Sequence, residues 1–198
     1  MMRLATLIIE EANRRPEGAT LCAKSLPHLG SRAGVDQALS RLARRGKLLR
    51  AGHGLYVLPV ESRLGVRAPS IEKVVEAVAA QRGETIAPSG ATAANALGLT
   101  TQVPVRTVYL TSGPSRILQV GGQRVELKHA PPWQLVLPHR LAGQAVRDLT
   151  HRLGPTKARD GILRLKRTLP ASEWEALTNV GARLPTWLAE PMSQVAHG

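Results

Sequence analysis

Between Ser31 and Pro59 the apolar pattern changes from helical to alternating across a single glycine, Gly46. Before it, Val35, Ala38, Leu39, Leu42 and Ala43 recur at helical spacing, with Ser31 placed as N-cap. Gly46 then stops the helix. After it, Lys47–Ala51 and Leu55–Leu58 read as short strands around the turn Gly52-His53-Gly54, and Pro59 closes the pair. Upstream, Leu4, Leu7, Ile8 and Ala12 mark an amphipathic helix over residues 2–14, ended by Pro16 and Gly18. Thr20 opens a short apolar segment, Leu21–Leu26, punctuated by Pro27 and Gly30. Three helices and a hairpin, in that order, predict a winged helix-turn-helix over residues 1–60.

Charge says what such a domain meets. The chain of 198 residues carries 27 Lys and Arg against 14 Asp and Glu, a net charge of +13. An excess of this size in a globular chain points to a polyanion. Residues 31–50 concentrate it: Arg32, Arg41, Arg44, Arg45, Lys47 and Arg50 stand against Asp36 alone. An ordinary solvated surface would interleave the two signs. The face of the helix opposite its apolar stripe holds Arg32, Asp36, Gln37, Ser40, Arg41 and Arg44. A helix fits the major groove, where Arg suits guanine and Gln suits adenine. Gln37, Arg41 and Arg44 are therefore expected to read bases. Arg45, Lys47 and Arg50, nearer the wing, are expected on phosphates, with His53 at the wing tip. Five aromatic residues and no Phe argue against modules that stack RNA bases or single strands on aromatic platforms.

The remainder reads as a second domain. Glu61–Pro69, with Arg63, Gly65, Arg67 and Pro69, has linker composition. From about residue 68 to 198 follow a helix over Ile71–Gln81, a strand at Glu84–Pro88 and a helix of small residues over Ser89–Leu99. Strands come next at Thr107–Thr111, Arg116–Val120 and Gln123–Ala130, the last two joined by Gly121-Gly122. Helices close the chain near His139–Leu153, Thr156–Thr168, Ala171–Val180 and Leu184–Gln194. The expected class is α+β: a winged helix, then a mixed-sheet domain with a helical tail.

The block Ala87–Pro104 (APSGATAANALGLTTQVP), followed by Tyr109–Arg116 (YLTSGPSR), resembles the AbiEi-like antitoxins of type IV toxin–antitoxin systems. It is most similar to the compact bacterial branch otherwise catalogued as a domain of unknown function. The resemblance covers nearly the whole chain, winged helix included. It implies an N-terminal domain that binds the promoter of its own operon. It also implies a C-terminal domain that counteracts a nucleotidyltransferase-like toxin without a stable complex between the two proteins.

Other constellations carry less. Glu126-Leu127-Lys128 matches the (D/E)xK fragment of metal-dependent nucleases, but such a site needs a second acid and only Glu84 lies nearby upstream. Ser112–Arg116 is a turn whose N–H groups, with Arg116, can cradle a phosphate or a nucleic-acid backbone. None of the six histidines forms an HxH or HExxH pair, and the single Cys22 excludes an intrachain disulfide and a thiolate-rich zinc site. Trp133, Trp174 and Trp187 are expected as core anchors. Residues Met1–Arg15 lack the apolar core of a signal peptide, and no apolar run has the ~20 residues of a membrane span, so a cytoplasmic protein is expected.

The reading is a non-enzymatic repressor and antitoxin that binds double-stranded operator DNA and needs no cofactor or metal; nothing in the residues sets its oligomeric state. Two alternatives stay open. One is a plain winged-helix regulator whose second domain senses a ligand or dimerises; the other is a nuclease-like enzyme built on Glu126 and Lys128.

Overall fold

The computed structural model describes residues 2–63, 65–89, 107–153 and 155–197. The architecture is α+β, with helices and a small sheet first, further sheets in the middle and helices at the end. By packing, the chain forms two compact units: Met1–Gly83 with Ile117–Val125, and Glu84–Arg116 with Glu126–Gly198. The small-residue helix expected over Ser89–Leu99 falls, apart from its first residue, outside the described residues, as does most of the block Ala87–Pro104.

In the first unit, α1 (Met2–Asn13) buries Ile8 and Ala12. A short strand, β1 (Thr20–Leu21), follows. The segment read as a middle helix is instead two 3-10 turns, Ala23–Ser25 and Pro27–Leu29. Pro27 has no N–H to give to a continuing helix, so the segment breaks there. Next comes α2 (Arg32–Arg44), where the Ser31 hydroxyl accepts the Gly34 N–H at 3.3 Å. Val35 and Leu39 are wholly buried in the core made by Ile8, Leu21, Leu26 and Leu48. Gly46 adopts φ +70°, a conformation L side chains resist, and so ends the helical run.

Strands β2 (Leu49–Gly52) and β3 (Leu55–Val57) form the wing around a two-residue turn, His53-Gly54. β1 pairs antiparallel with the far edge of β3, Thr20 opposite Val57, giving the order β1-β3-β2. Segment 61–69 is no simple linker. β4 (Val60–Ser62) and β5 (Gly65–Arg67) make a second hairpin, in which the Ser62 hydroxyl donates to the Gly65 carbonyl at 2.7 Å. Nearly every residue of it is exposed, so it leaves no apolar alternation for sequence reading to find.

α3 (Ile71–Arg82) packs into the same unit through Val74, Val75 and Val78. Its start is fastened by Glu17. That carboxylate accepts the Ser70 N–H at 3.1 Å, pairs with Arg67 at 3.3 Å, and takes a short bond from the Lys73 ammonium. The Lys73 bond, ahead of the Ser70 N–H, pulls the Glu17 carboxyl from near 4.5 to about 2. A carboxyl lowered on folding stabilises fully above its unfolded value and loses that contribution as pH falls through its folded value. The melting-temperature gap between wild type and Glu17→Gln is therefore expected to hold steady above pH 4.5 and to close as pH approaches 2. Melts at a series of pH values measure it; a gap that stays constant through this window would show that Glu17 does not fasten α3.

The second unit begins with β6 (Ile86–Pro88), antiparallel to β7 (Thr107–Thr111) with Ile86 opposite Thr111. The sheet has the order β6-β7-β9-β8, with β8 (Arg116–Val120) and β9 (Gln123–His129); the Ile117–Val125 stretch of these two strands is grouped with the first unit. Four helices follow: α4 (Leu141–Arg152), α5 (Ala158–Thr168), α6 (Ala171–Asn179) and α7 (Thr186–His197). They enclose Val146, Leu149, Ile162, Leu177 and Leu188. Among the described residues, no helix is long and apolar enough to cross a membrane.

Candidate nucleic-acid interface

The sequence of α2 fixes which side chains face outward. Its buried stripe is Val35, Leu39 and Leu42. At 100° per residue, Arg44 lies half a turn from Val35, flanked by Gln37 and Ser40. Arg32, Gln37, Arg41 and Arg44 are exposed, and Ser40 is half-buried. Gln37, Arg41 and Arg45 also line a groove of about 680 Å³ between α1 and α2, together with Leu4 and Ile9. Arg44 thus stands at the centre of the outward face, while Arg41 leans toward the flank beside α1.

The cations continue past the helix. Arg45 and Lys47 are exposed on the turn around Gly46. Arg50 is exposed on β2, its Nε–H donating to the Gly52 carbonyl at 3.3 Å. His53 is exposed in the wing turn. Among the described residues, no ion pair engages Arg32, Arg44, Arg45, Lys47 or Arg50; the pairs formed use Arg14, Arg15, Arg67, Lys73, Arg116, Lys128 and Arg140. Asp36 is the sole acid on α2. The exposed charges of α2 and the adjacent hairpin are cations apart from Asp36, an excess of one sign of the kind that draws phosphates.

Arg116 is placed differently. Its guanidinium grips Glu84 with two bonds, Nη1 to Oε1 at 3.0 Å and Nη2 to Oε2, and both side chains are largely buried. The Thr111 hydroxyl donates to the same carboxylate at 3.0 Å and accepts the Gly113 N–H. Gly113 packs so closely on Glu84 that a β-carbon would collide with its carboxyl group. The Ser112 N–H goes to the Thr85 carbonyl. With these N–H groups and Arg116 engaged inside the unit, the turn is a structural clasp and no open phosphate cradle.

The same clasp removes the second acid from the (D/E)xK fragment. Glu84 faces Arg116, while Glu126 pairs with Lys128 at 3.9 Å. Among the described residues, no group of three or more His, Cys, Asp or Glu comes together. The residue that sequence reading missed is Arg147, which is 2% exposed on α4. It lies off the apolar stripe of Ala142, Val146 and Leu149, so periodicity assigns it to solvent.

The sequence model of a family of unknown function, DUF6088, matches residues 7–169. No curated protein and no solved structure matches the chain. With that match running from α1 to the end of α5, the chain belongs to the DUF6088 family.

Proposed function

We propose that the protein is a DNA-binding transcriptional repressor of its own operon, acting as the antitoxin of a type IV system against a nucleotidyltransferase-like toxin. One observation carries the DNA-binding part: the cations of α2, the Gly46 turn and the wing are exposed and, Arg41 apart, outside every ion pair among the described residues. Elsewhere, Glu11, Glu17, Glu84, Glu126 and Glu173 each pair with a cation. The antitoxin part rests on the resemblance of Ala87–Pro104 and Tyr109–Arg116 to the AbiEi-like proteins.

On this reading Arg44 and Gln37 enter the major groove and touch base edges, with Arg41 and Ser40 beside them. Arg45, Lys47 and Arg50 hold phosphates on either side, and Arg32 meets the backbone at the helix start. His53 sits at the wing tip. Replacing Arg44 by Ala is expected to cost about 1–3 kcal/mol on the duplex upstream of the gene and to relax specificity at one position. Random duplex should be bound almost as before. Titrating both duplexes at several salt concentrations measures this. Equal weakening on both, with the salt slope reduced by about 0.9, would make Arg44 a phosphate contact and reverse the helix orientation. No preference of the wild type for its own upstream DNA would end the autorepressor reading. The antitoxin role is tested by expressing the adjacent reading frame alone: growth arrest relieved by this protein supports it, and an inert neighbour removes it.

A further inference from the structure

The second unit holds a cavity of about 520 Å³ that the DNA reading leaves unused. Lys128, Arg147, Thr150 and His151 line it, together with Trp133 and Trp187. Among its described lining residues none is acidic. The volume lies in the range of small-ligand pockets, and the lining combines apolar walls with a few polar groups.

Arg147 is the unusual member. Its Nη1 donates to the Gln134 and Val136 carbonyls at 3.3 Å each, and its Nη2 to the Pro138 carbonyl at 3.0 Å. These bonds hold the group in place without neutralising it. Its Nε–H is buried without a partner among the described residues. Burial pushes the guanidinium down to about 10, and among the described residues no neighbouring charge acts against that shift. A buried cation lacking a counter-charge is costly, so a structure that keeps one in a cavity wall favours an anion beside it. Lys128 adds a second charge on β9. Its contact with Glu126 is 3.9 Å long and its side chain is 55% exposed, so that pair is solvated and weak.

The other wall is aromatic. Trp133 and Trp187 meet edge to face, with ring centroids 6.1 Å apart and planes at 85°. Both pack against the helical core and are only half-buried, so they serve as core anchors and as cavity lining together. Indole surfaces offer a flat apolar contact to a heterocycle.

From these two walls we infer that the cavity binds a nucleoside monophosphate, its phosphate facing Lys128 and His151 in the field of Arg147, its base against Trp133 and Trp187. This goes beyond the DNA reading and uses none of its residues.

Calorimetry on the full chain tests it with AMP, GMP, CMP and UMP, and with adenosine and inorganic phosphate as the separated halves. At least one monophosphate is expected to saturate with a Kd below about 1 mM. Its nucleoside and inorganic phosphate should each bind at least about tenfold more weakly. Lys128→Ala and Trp187→Leu, checked for unchanged circular dichroism, should each weaken binding about tenfold. Arg147 is not the test position, because its carbonyl bonds shape the 134–138 segment. Absence of saturable binding by all four monophosphates overturns the proposal. So does binding that both substitutions leave unchanged, a nucleoside as tight as its monophosphate, or inorganic phosphate as tight as the nucleotide.

Discussion

Glu84→Ala is expected to destabilise the second unit by about 3–5 kcal/mol, the cost of stranding a largely buried cation. The Arg116 guanidinium loses both of its carboxylate bonds, and what remains for it among the described residues is the Pro114 carbonyl at 3.2 Å. The wholly buried Thr111 hydroxyl loses its acceptor in the same step. Denaturant unfolding followed by tryptophan fluorescence isolates the effect, because Trp133, Trp174 and Trp187 all lie in this unit. The midpoint should fall while the slope holds. Removing both charges in Glu84→Met with Arg116→Met should restore most of the loss, since a buried pair replaced by apolar groups is often nearly neutral. A cost under about 1 kcal/mol for Glu84→Ala would mean that the pair behaves as a solvated surface bridge.

The largest effect on binding is expected from joint replacement of Arg45, Lys47 and Arg50 by Ala. If each neutralises one phosphate, three contacts at about 0.9 each lower the salt slope by about 2.7. Over the interval from roughly 1 M to 0.15 M salt, that slope corresponds to about a hundredfold in affinity. The loss should be the same on operator and on random duplex, because phosphates carry no sequence. Stability should hardly change, since all three side chains are exposed and outside every ion pair among the described residues. An unchanged slope in a folded triple variant would take the duplex away from this face.

What could be read in advance follows from where the information sits. α1, α2 and the wing were legible because each buries one face against local partners, so Leu39, Ser31 and Gly46 speak through spacing alone. The four terminal helices were legible for the same reason, to within a few residues at their ends. The middle helix of the winged domain was not, because Pro27 interrupts a segment of helical composition. The β4–β5 hairpin was hidden by its exposure, which removes the alternation that marks a strand.

The exposure of Arg44 and Lys47 was legible, because it follows from their place opposite an apolar stripe or in a turn. Site chemistry was illegible where it depends on pairs distant in sequence. Nothing near Arg116 announces Glu84, 32 positions upstream, and the turn between them looks like an open anion cradle until that bond is drawn. Arg147 was hidden in the opposite way. Its partners are the carbonyls of Gln134, Val136 and Pro138, groups every residue possesses, so no residue type signals them.

The pairing of β1 with β3 reaches beyond topology. Because β3 is the central strand and Leu55, Tyr56 and Val57 are all buried, the wing is bolted to β1, the strand that follows α1, as well as to its own hairpin partner. Its backbone has already surrendered its conformational freedom in folding. On the proposed reading, a duplex arriving at Arg50 or His53 would meet a pre-set edge with only side-chain motion to quench, so docking there is expected to be lock-and-key rather than disorder-to-order capture.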